Sequence, residues 1–183
     1  MRKRVLLGML LTAGIVAAAG TTGFATPQQQ DKSKRPSPPA HAECKAGGAG
    51  ITVDYSSPKM KGRQIFGGLV PYGQVWRAGA NEATTFVTSG NVRVGSLEVP
   101  AGSYTLFTVP NKDKWTLIVS KKTGEWGVPY PGEASDFGRT DMSVKTLPSP
   151  MEDFAIQFTR EGDSCVMHMN WETTSASVKI SGK

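Results

Sequence analysis

From Ile51 onward the apolar residues alternate with polar ones in short runs broken by turn residues, which is the two-residue period of strands with one face buried. No stretch shows a sustained helical period. Ile51, Val53 and Tyr55 alternate, as do Val92 with Val94 and Leu97 with Val99, and Gly95-Ser96 between the last two pairs reads as a hairpin turn. Thr84–Thr88 is a further β-branched run. Tyr104–Val109 and Trp115–Ser120 form a second pair across a polar loop. Phe154, Ile156 and Phe158 alternate towards a turn at Glu161–Ser164, Cys165, Met167, Met169 and Trp171 alternate on the return, and Ala176, Val178 and Ile180 close the series. Eight or nine short strands at this spacing predict an all-β fold, an antiparallel β-sandwich, with one short helical turn near Pro58.

The segment before the strands has a different character. Arg2, Lys3 and Arg4 precede an apolar run from Val5 to Ala19, and small residues surround Gly23-Phe24-Ala25. That order is a secretory signal, with cleavage expected after Ala25. The apolar run is shorter than the roughly 20 residues that span a bilayer, so no stable membrane span is expected once the signal is removed. Residues 26–40 are polar and proline-rich and read as a disordered linker, which leaves 41–183 as one domain. Without the signal the net charge falls from +6 to 18 − 15 = +3, and Lys32, Lys34 and Arg35 lie in the linker. The folded part is nearly neutral, which excludes nucleic acid as a partner. A periplasmic or secreted location follows, and the oligomeric state stays open.

Two stretches, Ser56–Glu82 and Lys121–Asp141, do not alternate, yet hold too many aromatics for disorder. The first contains Lys61-Gly62-Arg63-Gln64-Ile65-Phe66-Gly67-Gly68-Leu69-Val70-Pro71-Tyr72-Gly73-Gln74-Val75-Trp76-Arg77-Ala78-Gly79-Ala80-Asn81-Glu82-Ala83-Thr84. This motif resembles the bacterial family known as domain of unknown function 2911. Pro100-Ala101-Gly102-Ser103-Tyr104-Thr105-Leu106-Phe107-Thr108 and Trp126-Gly127 resemble its later motifs. The resemblance implies an exported protein with a β fold and no assigned activity.

Arg63, Tyr72, Trp76, Arg77, Asn81 and Glu82 together supply forked donors, an aromatic face, an amide and a carboxylate, a set that reads sugars and polar peptides. In the second stretch Trp126, Asp136 and Arg139 repeat the theme, beside Tyr130. Three readings stay open. In the preferred one the domain is non-catalytic and binds a polar small molecule, glycan or peptide through these loops, with no cofactor. In the second, Arg77 pairs with Glu82 and Trp76 and Phe66 plug the core, so the motif serves only the fold. The third is a glycan hydrolase using Glu82 and Asp136 as a carboxylate pair.

Cys165 lies on the inward face of its strand, and export places it in an oxidising compartment, so a Cys44–Cys165 disulfide is expected. The competing idea is a zinc site, because His41 and Cys44 share the three-residue spacing of Cys165 and His168. Positions three apart on a strand face opposite sides, so no metal is expected.

Overall fold

The computed structural model describes residues 31–183. The expected signal segment, Met1–Ala25, and the first five residues of the expected linker, 26–30, lie outside the described residues. Nine strands follow in order: β1 (Pro39–Ala46), β2 (Ala49–Ser56), β3 (Thr84–Thr88), β4 (Val92–Val94), β5 (Leu97–Val99), β6 (Gly102–Val109), β7 (Lys114–Ser120), β8 (Asp136–Glu161) and β9 (Ser164–Gly182). They join in one sheet of order β1-β2-β3-β6-β7-β8-β9-β4-β5. Every strand pairing in it is antiparallel. This is an all-β, sandwich-like fold.

Hairpins read from alternation and turn chemistry appear where expected: β4–β5 turns at Gly95-Ser96, and β6 pairs with β7 in the register Thr105↔Ser120. The chain doubles over through β8 and β9, which are long enough to serve two parts of the sheet. On β9 the buried apolar residues are Cys165, Met167, Met169 and Trp171 up to the bend, then Ala176, Val178 and Ile180 beyond it. Their parity changes because Glu172 takes a left-handed φ of 53° while the β8–β9 register breaks between Thr146 and Ala155. Such a bulge lets one strand keep its apolar side inward while it turns a corner. The distal β8–β9 ribbon thereby covers the first strands: Cys165 bonds to Cys44 on β1, and the Phe154 N–H donates to the Pro58 carbonyl at 2.9 Å.

Three expectations need correction. The predicted linker is not separate from the domain at its C-terminal end. β1 begins at Pro39, and Ala40, Ala42 and Cys44 pack on the core, a signal concealed by the small size of two of these residues. Pro58 carries no helical turn, because Pro58–Met60 runs extended against β8, where the Met60 N–H donates to the Glu152 carbonyl at 2.8 Å. The short 3-10 turns lie instead at Lys32–Lys34 and Glu133–Ser135. Finally, the second irregular stretch is shorter than predicted, since β8 starts at Asp136. Its opening residues pair with β7 although Gly138 and Thr140 stand where apolar residues would have revealed a strand.

The core holds an aromatic cluster: Trp115, Trp171 and Phe154 are fully buried, and Phe66 lies 4.8 Å from Trp115 and 6.2 Å from Trp171 between ring centroids. Phe107 belongs to a smaller cluster with Ala83 and Ile118 on the other face of β6 and β7. Gly47, in the β1–β2 turn with φ 53°, meets Gly182 so closely that a Cβ on Gly47 would lie 2.6 Å from the Gly182 Cα.

Candidate functional site

The long segment between β2 and β3 is held down by its own apolar residues, Ile65, Phe66, Val70 and Ala78, all buried. Trp76 follows them inward. Its backbone exchanges hydrogen bonds with Thr108 at 2.7 and 2.8 Å, its ring stacks on Trp171 at 5.9 Å, and its Nε1–H donates to the Gly79 carbonyl at 3.1 Å. Trp76 and Phe66 therefore plug the core, as the fold-serving reading anticipated. Arg63 also serves the loop: its Nε and Nη2 donate to the carbonyls of Met60 at 2.8 Å and Lys59 at 2.6 Å. Tyr72 is exposed at the far side, beside Asn111–Lys114.

Arg77 and Glu82 do not pair, which corrects the expectation that they form a network. Arg77 turns to the second loop, where Nη1 donates to the Trp126 carbonyl at 3.1 Å and the guanidinium stands 5.7 Å from the Trp126 ring centroid. Trp126 is 52% exposed, whereas Trp115 and Trp171 are buried. Gly127 permits this approach: it has φ 82°, and a Cβ there would lie 2.8 Å from the Ala83 Cβ and 3.0 Å from the Arg77 Cβ.

Glu82 turns the other way, to the segment preceding β1. Arg35 Nη1 donates to both carboxylate oxygens at 3.0 and 2.9 Å, and Lys32 Nζ lies 2.9 Å from Oε1. Next to it Asn81, at φ 55°, donates from Nδ2 to the Ser37 carbonyl at 2.9 Å. The Lys32 ammonium, with the Glu82 backbone N–H and Arg35, holds the Glu82 carboxyl down to about 2. Lys32 and Arg35 were missed as site residues because no local spacing ties a polar N-terminal stretch to a carboxylate in a loop that follows β2.

The two loops do meet. The Ala83 N–H donates to the Glu125 carbonyl at 3.0 Å, next to the Arg77–Trp126 contact. They border a groove of about 290 Å³ lined by Lys32, Arg35, Asp54, Glu82, Thr85 and Glu125, among others. Asp136 is not part of that lining. It is held by Arg139 Nε at 2.8 Å and by the Tyr130 hydroxyl, and Arg139 also reaches Glu133 at 3.0 Å. Tyr130 packs on Phe107, so this network pins the second loop to the outer side of β6 and β7. Burial and the neighbouring Asp136 push the Tyr130 hydroxyl up.

A glycoside hydrolase needs one carboxyl that is protonated near neutral pH and a second one facing the same substrate. Glu82 is ionised and shielded by two cations, and Asp136 lies outside its groove. Glu82 and Asp136 thus do not form the carboxylate pair that such a reaction uses.

Cys44 and Cys165 are joined by a disulfide, with Cα atoms 6.5 Å apart. This overturns the four-ligand zinc alternative, since a bonded pair supplies no thiolate. Among the described residues no group of three or more His, Cys, Asp and Glu side chains converges. His41 Nδ1 instead lies 2.7 Å from Asp54, which raises the His41 pKa, and His168 Nε2 lies 2.9 Å from the Thr159 hydroxyl.

No curated protein and no solved structure matches the chain. Residues 37–180, nearly all of those described, match the family characterised as "Protein of unknown function (DUF2911)", and the chain belongs to that family.

Proposed function

We propose that the protein is an exported, non-catalytic binding domain that takes a neutral, hydroxyl-rich ligand of the saccharide class on the surface where its two long loops meet. The observation that carries this reading is the exposed Trp126 ring with Arg77 over it, beside the Glu82 groove. A solvent-facing indole offers an apolar plate for a sugar ring, and the guanidinium N–H groups not used on the Trp126 carbonyl can donate to hydroxyls. Glu125 and Glu82 at the groove add acceptors.

Export is supported by the basic-then-apolar N-terminal sequence and by the disulfide, which persists in oxidising compartments. Among the described residues no helix is long and apolar enough to cross a membrane. The fold-serving reading keeps part of the motif: Arg63, Trp76 and Asn81 are engaged within the chain, whereas Arg77 and Trp126 reach the surface together.

The test is a fluorescence titration of the purified protein with cello-, chito- and malto-tetraose. Binding of one sugar should change the Trp126 emission, and by titration calorimetry, which needs no indole reporter, Trp126→Ala or Arg77→Ala should each weaken binding by at least about tenfold. Both variants should melt within about 2 °C of the parent, since neither residue is in the core. No response to any of the sugars, or unfolding of Arg77→Ala, would sink the proposal.

A further inference from the structure

A second groove lies on a different part of the molecule, where β1 faces the distal half of β8. It measures about 700 Å³, more than twice the Glu82 groove, and includes His41 and Glu43 on β1, Lys145 and Phe158 on β8, and His168 and Asn170 on β9.

The register determines what the two strands offer it. β1 and β2 are joined by the two residues Gly47-Gly48, so Ala46↔Ala49 is a hydrogen-bonded pair and bonded pairs alternate from there. Two bonds confirm the parity: the Ser57 N–H donates to the Pro38 carbonyl, while the backbone of Gly50 turns away from β1, its carbonyl taking the Ser89 N–H. His41 and Glu43 therefore point their backbone N–H and C=O away from β2. The same count along the β8–β9 hairpin, closed at Glu161↔Ser164, turns the backbone of Ile156 and Phe158 away from β9. The Ile156 N–H bears this out by donating to the Tyr55 hydroxyl at 3.0 Å. The groove is thus a seam between two strand edges, pinned at one end by that bond and at the other by the Cys44–Cys165 disulfide, with the Gly47 N–H to Asp163 carbonyl bond of 2.9 Å beyond it.

Three side-chain features say what suits the seam. Asn170 is 7% exposed although it faces away from the core, and its carboxamide is half satisfied: Nδ2 donates to Gln157 Oε1 at 3.0 Å, while Oδ1 has no partner among the described residues. Gln157 is exposed and movable, and a peptide amide in its place supplies both an acceptor for Nδ2 and a donor for Oδ1. Ser175 and Ser177 extend the neutral hydrogen-bonding floor. Glu43, near the His41–Asp54 pair, stands on the β1 side and Lys145 on the β8 side, so the walls carry opposite charge.

We propose that this seam binds a short extended peptide, which pairs with the free edge of β1 and presents an amide to Asn170. Between its two pins β1 offers about three residues, His41–Glu43, roughly 10 Å of strand. An occupant of that length gains main-chain hydrogen bonds along an edge otherwise left unpaired.

The test selects a random heptapeptide phage library on the purified, disulfide-intact protein and measures the selected peptide by fluorescence anisotropy. Glu43→Pro removes an N–H that points into the seam and no ladder bond, so it should weaken binding at least about tenfold at unchanged melting temperature. N-methylation along the peptide should weaken binding by a similar factor at alternate residues and leave the intervening ones unaffected, which decides the question even if Glu43→Pro fails to fold. Selection of no peptide, indifference to N-methylation, or loss of binding in Trp126→Ala with Glu43→Pro unaffected would each overturn the proposal. None of these outcomes bears on the saccharide titration, which reads the other surface.

Discussion

The four tryptophans divide the motif residues by role. Trp76 touches Phe66, Trp115, Phe154 and Trp171, so its truncation opens a cavity within an aromatic cluster. Trp76→Ala should cost about 3–5 kcal/mol, read as a fall in the denaturant midpoint, whereas Trp126→Ala should leave stability within about 0.5 kcal/mol. Equal losses from the two would show that Trp126 also serves the core. The alternation identified the inward residues of the strands, but Trp76 lies in a segment without period, where its neighbours in sequence do not reveal which way the ring turns. Arg77 and Glu82 illustrate the same limit: opposite charges five residues apart in a loop suggest a pair, and the fold sends them in opposite directions.

Among the elements, the segment before β1 is the one most changed by tertiary context. By composition it cannot build a core, yet Lys32 and Arg35 attach it to Glu82 and the Ser37 carbonyl attaches it to Asn81. Glu82 is ordinarily a carboxyl of 4.5 and is held at about 2 in the folded protein. A depressed pKa gives stability that is present above pH 4.5 and lost as pH falls towards about 2. With the Glu82 side chain 40% exposed, solvent screening keeps the contribution at about 1 kcal/mol or less. Acid titration of Lys32→Ala/Arg35→Ala should show a shallower loss of stability over that window than the parent; an unchanged slope would mean the contact is not maintained in solution. The opening half of β8 shows the reverse case, a strand whose inward positions, Gly138 and Thr140, are too small or polar to register as alternation, yet which forms because β7 supplies a ladder for it.

At the scale of the molecule the disulfide joins the first strand to the last, its cysteines 121 positions apart along the chain. In the chain-entropy account a loop of this size restricts the unfolded chain by about 4–5 kcal/mol. Cys44→Ser/Cys165→Ser, or reduction, should lower the unfolding free energy by about that amount, and thiol titration of the denatured, unreduced protein should find no reactive groups. Two reactive thiols would refute the bridge and with it one support for export. Much of the architecture was legible beforehand, because a period of two together with glycine and polar turns dictates which segments are strands and which face of each is apolar. What the alternation could not express is where β8 and β9 bend, since a bulge changes parity through one backbone angle at Glu172. Nor could it show which polar residues meet. The all-β class, the hairpins and the inward thiol of Cys165 follow from the sequence, because each depends on local spacing. The Arg77–Trp126 surface, the clamp on Glu82 and the seam between β1 and β8 exist only in the tertiary structure, because each joins segments far apart along the chain.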